Sequence, residues 1–362
     1  MPYPTQRARR ALWIATSLAL SLAFLVPAAQ AQKFTRTDLV DQNKDPHLVN
    51  AWGMSRSSTS PWWISDNGTG LTTLYDGAGN IQSLVVTIPP PPGSEGASAP
   101  TGQVYNYTGS FLIQGKSPVF MFATEDGTIS GWNPQLNGTN AVIAIDRSTN
   151  GAVYKGLALL STPLGPRIYA TNFATGQVEM FDGNYKPIGP RSTNQFHIPG
   201  LDVNWSPFGI QSVGGDLVVT FAHRMPGQHD EDHGPGLGWV GIFDFQGNLL
   251  LTLEHGDWDN APWGIAMSPS DFGVFSHRLL IGNFGDGWIH VYNTFTGKHE
   301  DYLRDQNGLP IAIDGLWGIS FGNNAKAGAS NSLYFTAGPN DESEGLFGFL
   351  SPITGDQRGS ND

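Results

Sequence analysis

The sequence predicts an all-β protein, a six-bladed β-propeller of four-stranded blades, and three observations predict it. A bulky or polar residue followed by Gly and an apolar stretch occurs six times, at Trp52-Gly53, Thr101-Gly102, Lys155-Gly156, Phe208-Gly209, Trp263-Gly264 and Trp317-Gly318; successive glycines lie 49, 54, 53, 55 and 54 residues apart. A second glycine follows each of these by 17 to 29 residues, at Gly70, Gly127, Gly176, Gly238, Gly287 and Gly345. Within each period, short β-branched and aromatic segments are bounded by Gly, Asn, Asp or Pro, as in RIYATNFATGQVEMFDGN (167–184) and LLIGNFGDGWIHVYNTFTG (279–297), so a unit reads strand, turn, strand, turn.

Taken in chain order, the elements begin with Arg7, Arg9 and Arg10 ahead of an apolar run from Ala11 to Val26, then Pro27 and Ala29-Gln30-Ala31. That is the layout of a cleaved signal peptide over residues 1–31; the run is about 16 residues, short of the ~20 that cross a bilayer. An exported protein, periplasmic or secreted, with no membrane span in the mature chain is expected. Residues 33–40 (KFTRTDLV) read as a strand with no partner of their own, and the sixth unit runs out of chain after GLFGFL (345–350), so the N-terminal strand is expected to close the ring as the outer strand of blade six. One propeller domain over 32–353 and a polar tail over 354–362 complete the chain. The Pro-rich stretch Pro89 to Pro100 joins units one and two.

Composition sets the limits. The chain has 362 residues, only 14% of them charged, with 46 Gly, 25 Pro, 20 Phe, 11 Trp and 10 Tyr. So many aromatics build a large core and exclude disorder. A formal charge of -12, with 19 Lys plus Arg in all, speaks against nucleic acid as a partner, because binding phosphates takes cations. There is no cysteine, which excludes disulfides, thiolate metal sites and cysteine nucleophiles. A monomer is expected, its partner a small polar ligand or another protein.

DPHLVNAWGMS (45–55), ISDNGTGLTTLYDGAGNIQSLVVTIPPP (64–91), FATEDGTISGWNP (122–134), GNFGDGWIHVYN (282–293) and LYFTAGPNDESEGLFG (333–348) together carry a resemblance that spans nearly the whole mature chain. The sequence resembles a family of uncharacterised exported bacterial proteins with propeller-type repeats and, more remotely, is similar to NHL- and YVTN-type repeats. The resemblance implies the fold and export, and no settled activity. Propellers of the remoter kind include scaffolds, lactonases and lyases.

In a four-stranded blade the turn between the second and third strands and the connection to the next blade share one face of the disc, so topology alone gathers an upper mouth. It would hold Asn50, Lys155 and Trp205 from the connections, and Asp66, Asn67, Glu125, Asn172, His223, Asn283, Asp341 and Glu342 from the turns. Carboxylate and amide oxygens predominate, a set that suits Ca²⁺ or Mg²⁺, and Asp66, Glu125, Asn172, Asn283 and Asp341 are its candidate ligands. Asn50, Trp205, Asn172 and Asn283 are the candidate ligand-binding residues. His223 and Glu342 are the candidate proton-transfer groups. A binding or interaction module using this acidic mouth is one expectation, and a metal-dependent hydrolase or lyase of the lactonase type is the other.

Five features read as structural. Asp and Asn cap turns through side-chain to backbone bonds. The aromatics before the repeat glycine are expected to wedge between neighbouring blades rather than to form a sugar-stacking platform. Asp41-x-Asn43-x-Asp45 has calcium-loop spacing but Pro46 where Gly belongs, and Gly318-x-Ser320-x-Gly322 lies in a repeated strand instead of a nucleophile elbow. HRMPGQHDEDHGPG (223–236), with His229, Asp230, Asp232 and His233, reads as a polar loop inserted in unit four.

Overall fold

The computed structural model describes residues 32–189, 195–224 and 229–353, so the leader and the polar tail read from the sequence lie outside it. Strand β1 (Phe34–Asp41) precedes six sheets. Blade one is β2 (Ala51–Ser55), β3 (Trp62–Asp66), β4 (Leu71–Tyr75) and β5 (Val86–Thr87); blade two is β6 (Pro100–Tyr105), β7 (Phe120–Thr124), β8 (Thr128–Trp132) and β9 (Val142–Asp146). Blade three is β10 (Tyr154–Thr162), β11 (Gly165–Asn172), β12 (Gln177–Asp182) and β13 (Pro187–Ile188). Blade four is β14 (Trp205–Val213), β15 (Asp216–Arg224), β17 (Gly238–Phe243) and β18 (Leu249–Thr252), with β16 (Glu231–Asp232) added beside β15. Blade five is β19 (Pro262–Met267), β20 (Arg278–Asn283), β21 (Ile289–Asn293) and β22 (His299–Tyr302).

Blade six is β23 (Leu316–Phe321), β24 (Leu333–Ala337), β25 (Leu346–Pro352) and β1, which pairs antiparallel with β25 from Phe34 opposite Pro352 to Asp41 opposite Leu346. The predicted ring closure is therefore present, and with it the outer edge that blade six would otherwise expose is paired.

All six repeat dipeptides do the same thing. In each blade the register between the first two strands slips at that dipeptide, between Ala51 and Met54, Pro100 and Gln103, Tyr154 and Leu157, Pro207 and Ile210, Pro262 and Gly264, and Leu316 and Ile319. A bulge re-aims a side chain. Here it turns the residue before each glycine toward the axis of the ring. The glycine itself lets the next blade come close. A Cβ on Gly53 would stand 2.2 Å from the carbonyl oxygen of Thr101, one on Gly209 would stand 2.1 Å from that of Trp263, and one on Gly264 would stand 2.6 Å from that of Trp317.

The aromatics consequently do not wedge between adjacent blades, as the repeat suggested; they fill the channel. Trp52 of blade one stacks on Trp317 of blade six at 3.7 Å and meets Phe208 of blade four, across the ring, at 6.5 Å. Trp263 stands edge-on to both Trp52 and Trp317 at 5.9 Å. Neighbouring blades are also tied by buried hydroxyls. Thr101 donates to the carbonyl of Tyr154 at 2.8 Å, Thr171 to that of Phe208 at 2.6 Å and Thr336 to that of Trp52 at 2.5 Å. Ser320 lies inside β23 opposite Tyr334, as a strand residue. Asp41 accepts from the amides of Asn43 and Lys44, which makes the Asp41 to Asp45 stretch a turn.

Gly209→Ala is expected to cost about 2–3 kcal/mol, because the added methyl meets backbone that cannot yield without opening the ring. Gly138→Ala, where nothing lies within 4 Å of the new methyl, is expected to change stability by less than about 0.5 kcal/mol. Urea unfolding of the two variants checks this, and equal effects would contradict the close-approach account.

Candidate functional site

The channel plug has two gaps in its aromatic sequence, Thr101 in blade two and Lys155 in blade three, and only the second carries a charge. At the repeat position of blade three stands Lys155, whose side chain is 1% exposed. The bulge at Tyr154 to Leu157 sends it to the channel top, where its ammonium lies 4.9 Å above the Trp52 ring and 5.7 Å from that of Phe173. Such faces attract a desolvated cation. Carboxylates supply the rest: Glu125 at 2.5 Å, Asp230 at 3.4 Å and Glu231 at 3.9 Å. Burial alone would drive the Lys155 proton off, but the three acids outweigh it and hold its pKa above the ordinary lysine value.

The network continues around the rim. The Asn67 amide donates to Glu125 at 2.9 Å, and the Asn50 amide donates to Asn67 at 3.2 Å and to Glu342. The Asn50 oxygen accepts from the Trp317 indole at 2.9 Å, which locks the amide orientation and joins the rim to the plug. Glu342 is reached by an unusual turn, in which Asn340, Asp341 and Glu342 all have left-handed φ, at 55°, 49° and 61°. Three successive side-chain-bearing residues in that region store strain of the kind that clusters at functional sites.

Two of these acids are tuned. Glu231, carried in on β16, has a side chain 5% exposed; burial pushes its pKa up to about 7, against the pull of Lys155, and Glu342 and Glu125 push the same way. Burial also raises Glu342, opposed by its bond from Asn50 and by Lys155. The mouth thus combines a buried ammonium with a carboxyl that gains and loses its proton near neutrality.

The residues grouped from topology divide. Asn50, Asn67, Glu125, Lys155 and Glu342 meet at the mouth. Asp66 does not reach it: it is wholly buried in blade one, near Asp45, and burial raises its pKa well above the usual range. Asn172 is buried, its oxygen on the Val153 amide and its nitrogen on Glu179. Asn283 donates to the Trp258 carbonyl and to Asp286. Asp341 is exposed on the strained turn. Trp205 and His223 face each other across β14 and β15, ring centroids 5.3 Å apart, with Asp232 3.4 Å from the His223 ring. His229 and His233 are exposed, and among the described residues no three His, Asp or Glu gather as a metal cluster. Glu231 escaped the sequence reading, which weighed its neighbours Asp230 and Asp232; the alternation of the two-residue β16, which aims Glu231 at Lys155 and Asp232 at His223, was the missing signal.

No family model matches the chain. Two uncharacterised proteins of Acanthamoeba polyphaga mimivirus are 28% and 27% identical to it, each across 84% of this chain and over 76% and 81% of their own lengths. Among solved structures, that of a streptogramin B lyase superposes with a TM-score of 0.52 at 14% identity, covering 88% of this chain and 97% of that one. A catalytically inactive virginiamycin B lyase from Staphylococcus aureus, solved with quinupristin, gives 0.52 at 12% identity, covering 89% of this chain and all of the other. The likeness is one of fold, a six-bladed propeller shared with lyase propellers.

Glu231 holds its proton more tightly in the folded chain, near 7, than in the unfolded one, near 4.5. Its stabilising effect is therefore full below about pH 4.5 and lost as pH rises through about 7. Relative to Glu231→Gln, the wild-type protein is expected to lose about 3 kcal/mol over that interval, read by urea unfolding at its two ends. Parallel curves for the two proteins would show that Glu231 does not titrate there. Lys155→Met, which strands the surrounding carboxylates, is expected to destabilise by about 3–5 kcal/mol at neutral pH.

Proposed function

We propose that the chain is an enzyme of the hydrolase or lyase class whose active site is the upper mouth of the propeller, with Glu231 moving the proton and Lys155 supplying the positive charge. What supports this is a buried carboxyl with a pKa of about 7 held 3.9 Å from a buried ammonium, beside a strained turn. A group that titrates near the working pH is the form general acid–base catalysis favours.

In the lyase form, ionised Glu231 takes a proton from a carbon next to a carbonyl. The electron pair moves into the carbonyl, whose oxygen becomes negative and lies against the Lys155 ammonium. When that pair returns, the bond to a leaving oxygen on the next carbon breaks, and the leaving oxygen takes up the proton from Glu231 or Glu342. In the hydrolase form, Glu231 takes the proton from a water that attacks the carbonyl, and the same ammonium faces the resulting oxyanion. As that oxyanion collapses, the bond from the carbonyl carbon to the leaving oxygen breaks and the leaving oxygen takes the proton back from Glu231. The carboxylates of the mouth do not fit a divalent ion beside Lys155, because that ion would stand against the ammonium they already enclose. Lys155 takes the place that a metal holds in the metal-dependent version of this chemistry.

The reading is tested by assaying the full chain on esters and lactones that carry a hydrogen next to the carbonyl, with a streptogramin B among them because of the shared fold. Turnover is expected to rise with pH through about 7, as Glu231 ionises, and to fall about 100-fold or more in Glu231→Gln. Turnover that survives this substitution, or that needs an added divalent ion, would overturn the assignment.

A further inference from the structure

Beside the mouth, on the flank between blades three and four, lies a cleft of about 860 Å³. This is within the size range of small-molecule sites. Its floor includes Met180 and Phe196, both buried, and Trp205 stands half-buried in its wall. The indole is fixed edge-on by His223 at 5.3 Å and by Trp239 at 6.5 Å, which leaves it a rigid aromatic surface.

Opposite kinds of side chain line the same cavity. Glu179 projects from β12 with its carboxylate clamped on both oxygens: the Tyr154 hydroxyl donates to one at 2.8 Å and the Asn172 amide donates to the other at 2.7 Å. Each oxygen keeps a further lone pair for a donor in the cleft. Asn172, singled out from the sequence for its place at the end of a second strand, is thus a positioning residue for Glu179. Gln177 and Asp202 add polar groups at the rim, and Arg147 and Arg224 balance the two acids, so the cavity favours neither a cation nor an anion.

We propose that this cleft binds a neutral polyhydroxylated ring, a sugar unit that lays its apolar face on Trp205 and donates its hydroxyls to the clamped Glu179 carboxylate. An aromatic surface paired with a preoriented bidentate acceptor matches the two-sided chemistry of such a ring. A free oligosaccharide and a glycan chain on a larger polymer present the same chemistry.

Calorimetric titration of the full chain with soluble neutral disaccharides, alongside sedimentation with insoluble polysaccharides, separates those sources. Saturable one-to-one binding to either is expected. Trp205→Ala and Glu179→Gln are each expected to weaken it at least about tenfold, while Glu231→Gln at the mouth leaves it unchanged. Circular-dichroism melts verify the fold of each variant, and Trp205→Phe, which keeps a ring, is expected to retain most of the affinity. Absence of saturable binding to every neutral saccharide at millimolar concentration would overturn the proposal. So would binding that persists in folded Trp205→Ala and Glu179→Gln, or that is lost in Glu231→Gln.

Discussion

The structure depends on how closely six inner strands approach one another around a single axis. Gly209, under the carbonyl of Trp263, has room for a hydrogen and nothing larger, and the same holds for its counterparts around the ring. Once the backbones are that close, the residue before each glycine has nowhere to go but the axis, and buried threonine hydroxyls can bridge from one blade to the next. A disc with an open bore is thereby excluded. The aromatic plug closes the bore and leaves beside it a cavity of about 40 Å³ among Gly53, Leu157, Ile210 and Ile319, too small for an organic ligand, which must be met at the faces or flanks of the ring.

Chemistry enters where this packing is interrupted. Four blades contribute Trp52, Phe208, Trp263 and Trp317 to the plug, whereas blades two and three contribute Thr101 and Lys155. Replacing an aromatic ring by an ammonium places a charge in the least solvated part of the molecule, which is costly unless opposite charges come with it. They come from three separate blades: Glu125 from the second, Asp230 and Glu231 from the start of the added strand β16 of the fourth, and Glu342, through Asn50, from the strained turn of the sixth. The most enclosed of them is Glu231, and burial pushes its carboxyl up to about 7 against the pull of Lys155.

Blade number, strand order and the closing strand were legible in the sequence because they rest on periodic constraints: a glycine at each close approach, a turn residue at each hairpin, and a strand left over before the first repeat to match the one missing from the last. Topology also gathered Asn50, Asn67, Glu125, Lys155 and Glu342 correctly, since the ends of strands on one face must meet. It failed for Asp66, Asn172 and Asn283, which end second strands as expected but turn their side chains into the blade, where Glu179 and the Trp258 carbonyl wait. Strand ends fix a residue's height, not which way it faces. Glu231 was hidden for a different reason: it lies in an insertion with no counterpart in other blades, so no repeat register could place it.

The joining of β1 to β25 has a consequence of its own. Phe34 and Pro352 are cross-strand neighbours, so the ring is a circle whose only covalent break falls between two paired strands of one blade. During synthesis β1 (Phe34–Asp41) stays without its ladder partner until β25 (Leu346–Pro352), at the far end of the repeats, has emerged. The propeller therefore cannot be finished blade by blade as a linear stack of repeats is. Its final step is a pairing at very long sequence separation, which makes the seam both the latest part to form and the natural place for the ring to begin to open.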